Sequence, residues 1–264
     1  MNLTGRRVLV TGATGGLGQA IARAVVARGA QLVISGRRAD VLEPLATELG
    51  AQALPCDLAD SAAVERLVTD AGDIDVLVAN AALPASGALE TFSIEEIDSA
   101  LAVNLRAPIV LARLLSEPMA ARGSGHLVFV SSLSGKTASQ GSAIYSATKF
   151  GLRGFALGLR EDLRATGVGV STVFPGFIRD AGMFHDAGVK LPGYVGTKTP
   201  QDVADAVLTA IERNRSEIDV APLGMRAGAA VAGLAPELTA RLQRRLGAEK
   251  VATAMAEGQR DKRS

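Results

Sequence analysis

The stretch Val8-Leu9-Val10-Thr11-Gly12-Ala13-Thr14-Gly15-Gly16-Leu17-Gly18 decides the fold. It reads as a short β-branched strand, a turn crowded with glycine, and the start of a helix. Glycines at such a junction let the chain turn sharply, let a phosphate come close, and let the next helix pack tightly on the sheet. The helix start then offers free N–H groups and partial positive charge, which suits a pyrophosphate. An ordinary strand–helix turn could use the same residues. The strand before and the helix after complete the context that a dinucleotide site demands. Gly12, Thr14, Gly15, Gly16, Leu17 and Gly18 are therefore candidate nucleotide-binding residues.

Outward from this stretch, short apolar runs alternate with longer helical patterns. Val8–Val10, Leu32–Ile34, Val76–Val78, Leu127–Val130 and Val168–Val173 are nearly continuous in apolar residues, as strands buried on both faces of a parallel sheet are. Ala51–Leu54 and Glu217–Val220 read as two further strands. Leu17–Arg28, Val41–Leu49, Ala62–Ala71, Ile94–Leu115 and Ser142–Arg164 carry apolar residues near the helical period. The alternation predicts an α/β, doubly wound parallel sheet of Rossmann type, about seven strands wide, with helices on both faces. No linker or repeat divides the chain, so residues 1–264 are expected to form a single dinucleotide-binding and catalytic domain. Within it, residues 177–199 read as a loop facing the substrate and residues 223–258 as extra C-terminal helices. Residues 259–264 read as a charged tail expected to fray.

Composition removes other classes. A chain of 264 residues buries about three quarters of its unfolded surface without a disulfide or metal staple. Lys+Arg 28 against Asp+Glu 27 leaves no excess charge for a nucleic-acid backbone, and with no Trp and 3% aromatics there is little to stack on bases. Two His and one Cys are too few for the usual structural zinc sites. Cys56 stands alone, no targeting pattern opens the chain, and the apolar run Ala227–Pro236 is too short to span a bilayer, so a cytoplasmic location without a transmembrane segment is expected.

The glycine spacing, Gly12, Gly16 and Gly18 in the pattern TGxxxGxG, resembles that of the short-chain dehydrogenases/reductases, in their single-domain branch of about 250 residues. The resemblance runs over roughly residues 5 to 220. It implies an oxidoreductase that interconverts a ketone or aldehyde and an alcohol by hydride transfer. At the end of the second strand the family's acidic residue is replaced by Gly36, and Arg37 and Arg38 follow. A carboxylate there binds the ribose 2′-hydroxyl of NAD, whereas Arg suits the phosphate of NADP, so NADP (NADPH) is the expected cofactor, with Gly36 leaving the 2′ position open. Asp57 and Leu58 match the family's adenine contact. Asn80 and Ala81 fall in its strand-end motif, and Pro175, Gly176 and Ile178 fall beside the nicotinamide. The family's Thr after this Pro-Gly turn is missing.

Tyr145 and Lys149, four apart on a predicted helix, share one face. A phenol is ordinarily too weak an acid for work near neutrality, and a neighbouring ammonium is expected to lower its pKa so that it serves as general acid or base. The resemblance implies that Ser132, 13 residues before Tyr145, polarises the substrate carbonyl and that Lys149 also binds the nicotinamide ribose. It also implies that Asn104 holds a water relaying protons to Lys149. A small carbonyl or alcohol substrate of lipophilic character is expected, in a pocket built from residues 83–89, 134–140 and 177–198. So is a homodimer through the helices bearing Asn104 and Tyr145, with a tetramer as the larger option. Two other readings remain open from sequence: an NAD-dependent alcohol or hydroxyacyl dehydrogenase, and a catalytically silent NADP sensor. A sensor would need only the cofactor residues.

Overall fold

The computed structural model describes all residues except 190, 192, 194, 246, 247, 263 and 264, and omits the side chains of 242, 243 and 248. Pro192 of the expected loop, Leu242 of the extension and the last two residues of the expected tail thus lie outside the described atoms. Seven parallel strands form one sheet: β1 (Arg7–Thr11), β2 (Gln31–Gly36), β3 (Gln52–Pro55), β4 (Val76–Ala79), β5 (Gly125–Val130), β6 (Val168–Pro175) and β7 (Glu217–Val220). Their order, β3-β2-β1-β4-β5-β6-β7, is the doubly wound arrangement expected. The winding direction reverses between β1 and β4, which pair with Val8 opposite Val76 and Val10 opposite Val78. A crevice opens at the carboxyl ends of that pair.

Strand alternation divides the core. Val8, Val10, Ile34, Val78, Val130 and Val173 face the helices α1 (Gly16–Val26), α2 (Ala39–Leu49) and α8 (Pro200–Arg213). Leu9, Leu77, Leu127, Phe129 and Val170 face the opposite layer, α3 (Ser61–Ala71), α5 (Ala107–Ala121) and α6 (Ala143–Asp162), while α4 (Ile94–Leu101) packs on α6. Each strand residue therefore packs on one layer or the other, which is why the central strands lack polar alternation. Asp60 caps α3 by accepting from the Ala62 N–H, and Ser93 with Glu96 forms a capping box on α4.

The expected helix Ile94–Leu115 is not uniform. Residues Ala102–Arg106 form one π turn between α4 and α5, and the helix continues to Ala121. The wider turn carries Asn104 into the core, where it is 1% exposed. By length and composition this 28-residue helix could cross a membrane. Here Ala107, Leu111, Ala112, Leu115 and Met119 are buried against the sheet.

After β6 come a short helix α7 (Met183–Asp186), α8 and β7, then α9 (Leu223–Leu234), α10 (Pro236–Arg245) and α11 (Ala248–Gln259). Over the residues described, Gln259 is buried, residues 260–262 form a 3-10 turn, and Lys262 reaches the Asp186 carbonyl at 3.4 Å. Gly258 lies directly on the Ala187 backbone, where a Cβ could not fit.

His126 in β5 is buried, its Nε2 2.8 Å from Ser171 Oγ in β6, and Gly169 leaves room for its ring. Burial pushes its pKa down from 6.5 to about 3, so the folded chain keeps it neutral while the unfolded chain protonates it below pH 6.5. Its contribution is complete above pH 6.5 and is lost as pH falls toward 3, by up to about 1.4 kcal/mol per pH unit. Thermal unfolding followed against pH should show this acid slope, and His126→Gln should flatten it. An unchanged slope would assign acid sensitivity to other groups.

Candidate active site

The glycine turn connects β1 to α1 at the sheet's reversal point. Gly12 has a positive φ of 68°, and a Cβ there would stand 2.7 Å from the Ala81 Cα. Gly18 packs on the Gly12 and Ala13 backbone, drawing α1 onto the sheet. The N-cap of α1 is Gly15, no side chain caps it, and its first turn has no acidic residue. The N–H groups there are left for an anion, which fits a pyrophosphate. Ala181 and Gly182, from the loop after β6, lie over this helix end. A Cβ on Gly16 would collide with Ala181, and one on Gly182 would stand 2.6 Å from Leu17 Cδ1. Of the residues expected to hold the cofactor, Gly16 and Leu17 are therefore also the floor for that loop.

A residue not singled out from sequence fixes the crevice. Thr11, the last of β1 and 1% exposed, accepts at Oγ1 from the N–H groups of Asn80 and Ala81, at 3.1 and 3.2 Å. Asn80 Nδ2 donates back to the carbonyls of Thr11 and Gly12, at 3.1 and 3.3 Å. β1 and β4 are thus stitched at their carboxyl ends. The signal was a hydroxyl residue at the end of a buried strand, just before the glycines.

Gly36 differs from its expected role. It is buried, and a Cβ there would meet Thr14 Cγ2 at 2.6 Å, so the missing side chain accommodates the glycine turn and does not leave an open position. Arg38 Nη2 donates to the Thr14 carbonyl at 2.7 Å, tying the end of β2 to the same turn. Arg37 lines a cleft of about 560 Å³ with Leu54, Pro55, Cys56, Asp57 and Arg66. Asp57 Oδ1 accepts from the Ala59 N–H, and burial, chiefly, pushes the Cys56 thiol up to about 11. That thiol is therefore protonated and unreactive near neutrality.

Ser132, Tyr145 and Lys149 are brought together beyond β5. Ser132 leads a 3-10 turn, Leu133–Gly135, and its Oγ accepts from the Ser134 N–H at 3.1 Å, which leaves the hydroxyl hydrogen to donate. Tyr145 packs against Ala85, Phe92, Ala100 and Ile144, and the Ser132 hydroxyl is near enough to its phenol to favour the phenolate. Lys149 is 1% exposed, with Nζ 3.2 Å from the Val130 carbonyl and 5.6 Å from the centre of the Tyr145 ring. The expectation that Lys149 depresses the phenol is not met in the free protein. Burial pushes Tyr145 up to about 12, and the Ser132 bond offsets only part of that. Burial also pushes Lys149 down to about 8. The ammonium has one recorded acceptor among the described residues, so a ligand's hydroxyls would fit its remaining donors.

Asn104 stands apart from these three in its bonding. Its Oδ1 accepts from the Leu83 N–H at 2.6 Å and its Nδ2 donates to the Leu83 carbonyl at 2.9 Å, so the side chain clamps the loop after β4. At the end of β6, Gly176 N–H donates to the Val220 carbonyl, and a Cβ on it would crowd Ala221, Leu133 and Met225. Ile178 forms a parallel bridge with Lys198 through the groups of Phe177 and Arg179 on either side, so its own N–H and C=O point away from the bridge.

The family model for short chain dehydrogenases matches residues 6–190. The chain belongs to that family. This dehydrogenase is 38% identical over 227 residues to the ketoacyl reductase HetN of Nostoc sp., which covers 83% of this chain and 79% of that protein. A putative β-ketoacyl-ACP reductase superimposes with a TM-score of 0.78 at 29% identity, over 85% of this chain and 99% of the other. A short-chain dehydrogenase from Sphingobium yanoikuyae in complex with NADPH gives 0.74 at 28% identity, over 88% and 96%. The dehydrogenase is an oxidoreductase acting on CH–OH groups with NAD(P). Its crowding at Gly36 yields a prediction: Gly36→Asp, which would restore the family's acidic residue, should destabilise the turn and weaken NADH and NADPH alike. Adding Thr14→Ala removes the obstructing methyl and should recover NADH affinity. Fluorescence titration with each cofactor checks both outcomes.

Proposed function

We propose that this dehydrogenase is an NADP(H)-dependent carbonyl reductase and alcohol dehydrogenase using Ser132, Tyr145, Lys149 and Asn104. One observation carries the reading: a buried ammonium, with one acceptor among the described residues, lies beside a phenol whose ionised form a neighbouring serine hydroxyl favours. When bound, the cofactor supplies or accepts the hydride at the carbonyl carbon. Ser132 donates a hydrogen bond to the carbonyl oxygen and steadies the charge that develops there. Tyr145 gives its proton to that oxygen in reduction and takes it back in oxidation. Lys149 holds the nicotinamide ribose and, with a water at Asn104, returns a proton to the phenolate. The Asn104 side chain already clamps Leu83, so its main chain is the natural perch for that water.

NADP is favoured over NAD because the end of β2 has Arg37 and Arg38 and no carboxylate, and because the Sphingobium enzyme is described with NADPH. Gly12, Thr14, Gly15, Gly16, Leu17 and Gly18 would hold the pyrophosphate. Asp57, Leu58, Asn80 and Ala81 would flank the adenosine half, and Pro175, Gly176 and the free backbone of Ile178 would flank the nicotinamide. The substrate is proposed to be a ketone with an apolar body, in keeping with the ketoacyl substrates named for two relatives. In the loop after β6, Phe177 and Phe184 lie with ring centres 4.9 Å apart, and the Gly87 N–H joins the other two segments by donating to the Gly141 carbonyl at 2.7 Å. The exposed Leu101, Phe150 and Leu157, with open space at Gly154 and Gly158, support a homodimer through the helix Ile94–Ala121, which bears Asn104, and α6, which bears Tyr145.

Tyr145→Phe should abolish NADPH-dependent reduction of ethyl acetoacetate while leaving NADPH affinity nearly intact. Substantial residual turnover would refute the role of Tyr145. Arg37→Ala should raise KM for NADPH about tenfold and leave that for NADH little changed. Equal effects on both cofactors would argue against the NADP assignment.

A further inference from the structure

Lys136 and Arg153 each stand four residues beyond a residue of the proposed catalytic set, Lys136 after Ser132 and Arg153 after Lys149. Both reach one carboxylate. Lys136 Nζ lies 3.0 Å from Glu217 Oε2, and Arg153 lies 2.7 Å from Oε1 through Nε and 3.2 Å from Oε2 through Nη2. Asp219, two residues further along β7 and so on the same face, takes Lys136 at 2.7 Å. Lys136 sits 4.1 Å over the ring centre of Phe174, and Arg153 5.8 Å. Two cations thus meet two carboxylates, and Lys136, Glu217 and Asp219 are each a fifth exposed or less. Burial pushes the Glu217 carboxyl up, but its bonds to Arg153 and Lys136 prevail and hold it below its usual range.

The serine turn and the tyrosine helix pack directly on each other. Ser131 Oγ donates to the Lys149 carbonyl at 3.2 Å, and Gly135 lies so close that a Cβ would stand 2.7 Å from that same oxygen. The Lys136–Glu217–Arg153 cluster ties these two elements to a third, the backbone of β7, where Glu217 lies opposite Thr172 of β6. We propose that Glu217 is a positioning residue. Through Lys136 and Arg153 it sets the register between the turn bearing Ser132 and the helix bearing Tyr145 and Lys149. This role rests on the catalytic reading above. A displacement of about 1 Å between reacting groups can cost a hundredfold in rate, and breaking one member of a buried charge cluster leaves the others unmatched.

The full-length protein tests it, with NADPH and ethyl acetoacetate as probes and Tyr145→Phe run in parallel. Glu217→Gln should lower kcat about tenfold or more, with NADPH affinity unchanged within about twofold and the circular dichroism spectrum intact. Lys136→Met should fall as far, Lys136→Arg should keep kcat near wild type, and Lys136→Met/Glu217→Gln should be no worse than either single change. If Glu217→Gln does not fold, the contrast between Lys136→Met and Lys136→Arg carries the test alone. Wild-type kcat in Glu217→Gln beside an inactive Tyr145→Phe overturns the proposal. So does a loss of kcat matched by an equal loss of NADPH affinity, which marks general loosening. A wild-type chain without Tyr145-dependent turnover removes the catalytic reading, and the positioning role with it.

Discussion

A parallel sheet must be covered on both faces by crossover helices, and reversing the winding leaves one place where the strand ends are uncovered. In this dehydrogenase that place lies between β1 and β4, and the rest of the site is arranged around it. Thr11 and Asn80 hold the two strand ends together so that the glycine turn has a fixed base. Gly12 and Gly18 then bring α1 close enough for its uncapped amino end to face the crevice. The neighbouring strands β5 and β6 deliver Ser132 and Gly176 to the same edge. Without the reversal, these groups would lie beneath a helix.

The crevice is closed from above by elements that have no part in the sheet. Asn104, carried inward by the π turn, clamps the loop at Leu83, and the Gly87–Gly141 bond ties that loop to the segment before α6. On the far side Ala181 and Gly182 rest on Gly16 and Leu17, and α11 in turn packs on α7, with Gly258 against Ala187. The C-terminal helices therefore act on the site through the loop after β6. Substitutions in α11 should be felt at the α1 end of the crevice, although the two are more than two hundred residues apart in sequence.

What could be read in the sequence follows the range of the interactions. Strands buried on both faces betray themselves as apolar runs, and every predicted strand lies within one found in the sheet except Ala51–Leu54, which begins one residue before β3. The glycine turn and the Tyr145–Lys149 spacing are local, so they too were legible. The π turn at Ala102–Arg106 was not, because a single wider turn leaves the helical period almost unchanged over its length. Gly36 was read as an open position because Thr14, which fills that space, lies 22 residues away. The charge cluster at Glu217 escaped for the same reason: Lys136 and Arg153 look like surface residues until β7 is placed beside β6. The rise of the Tyr145 phenol, against the lowering expected from Lys149, was not legible because burial is a property of the packed chain.

The pKa directions of Tyr145 and Lys149 bear on how the proposed acid works. A phenol pushed up to about 12 is fully protonated near neutrality, and a lysine pushed down to about 8 has begun to share its proton with solvent. An alkoxide forming from a ketone is far more basic than a phenolate, so a protonated Tyr145 can give up its proton without prior activation. The nearby Ser132 hydroxyl favours the phenolate that results. Oxidation of an alcohol is more demanding, because it needs the phenolate before reaction and burial opposes that form.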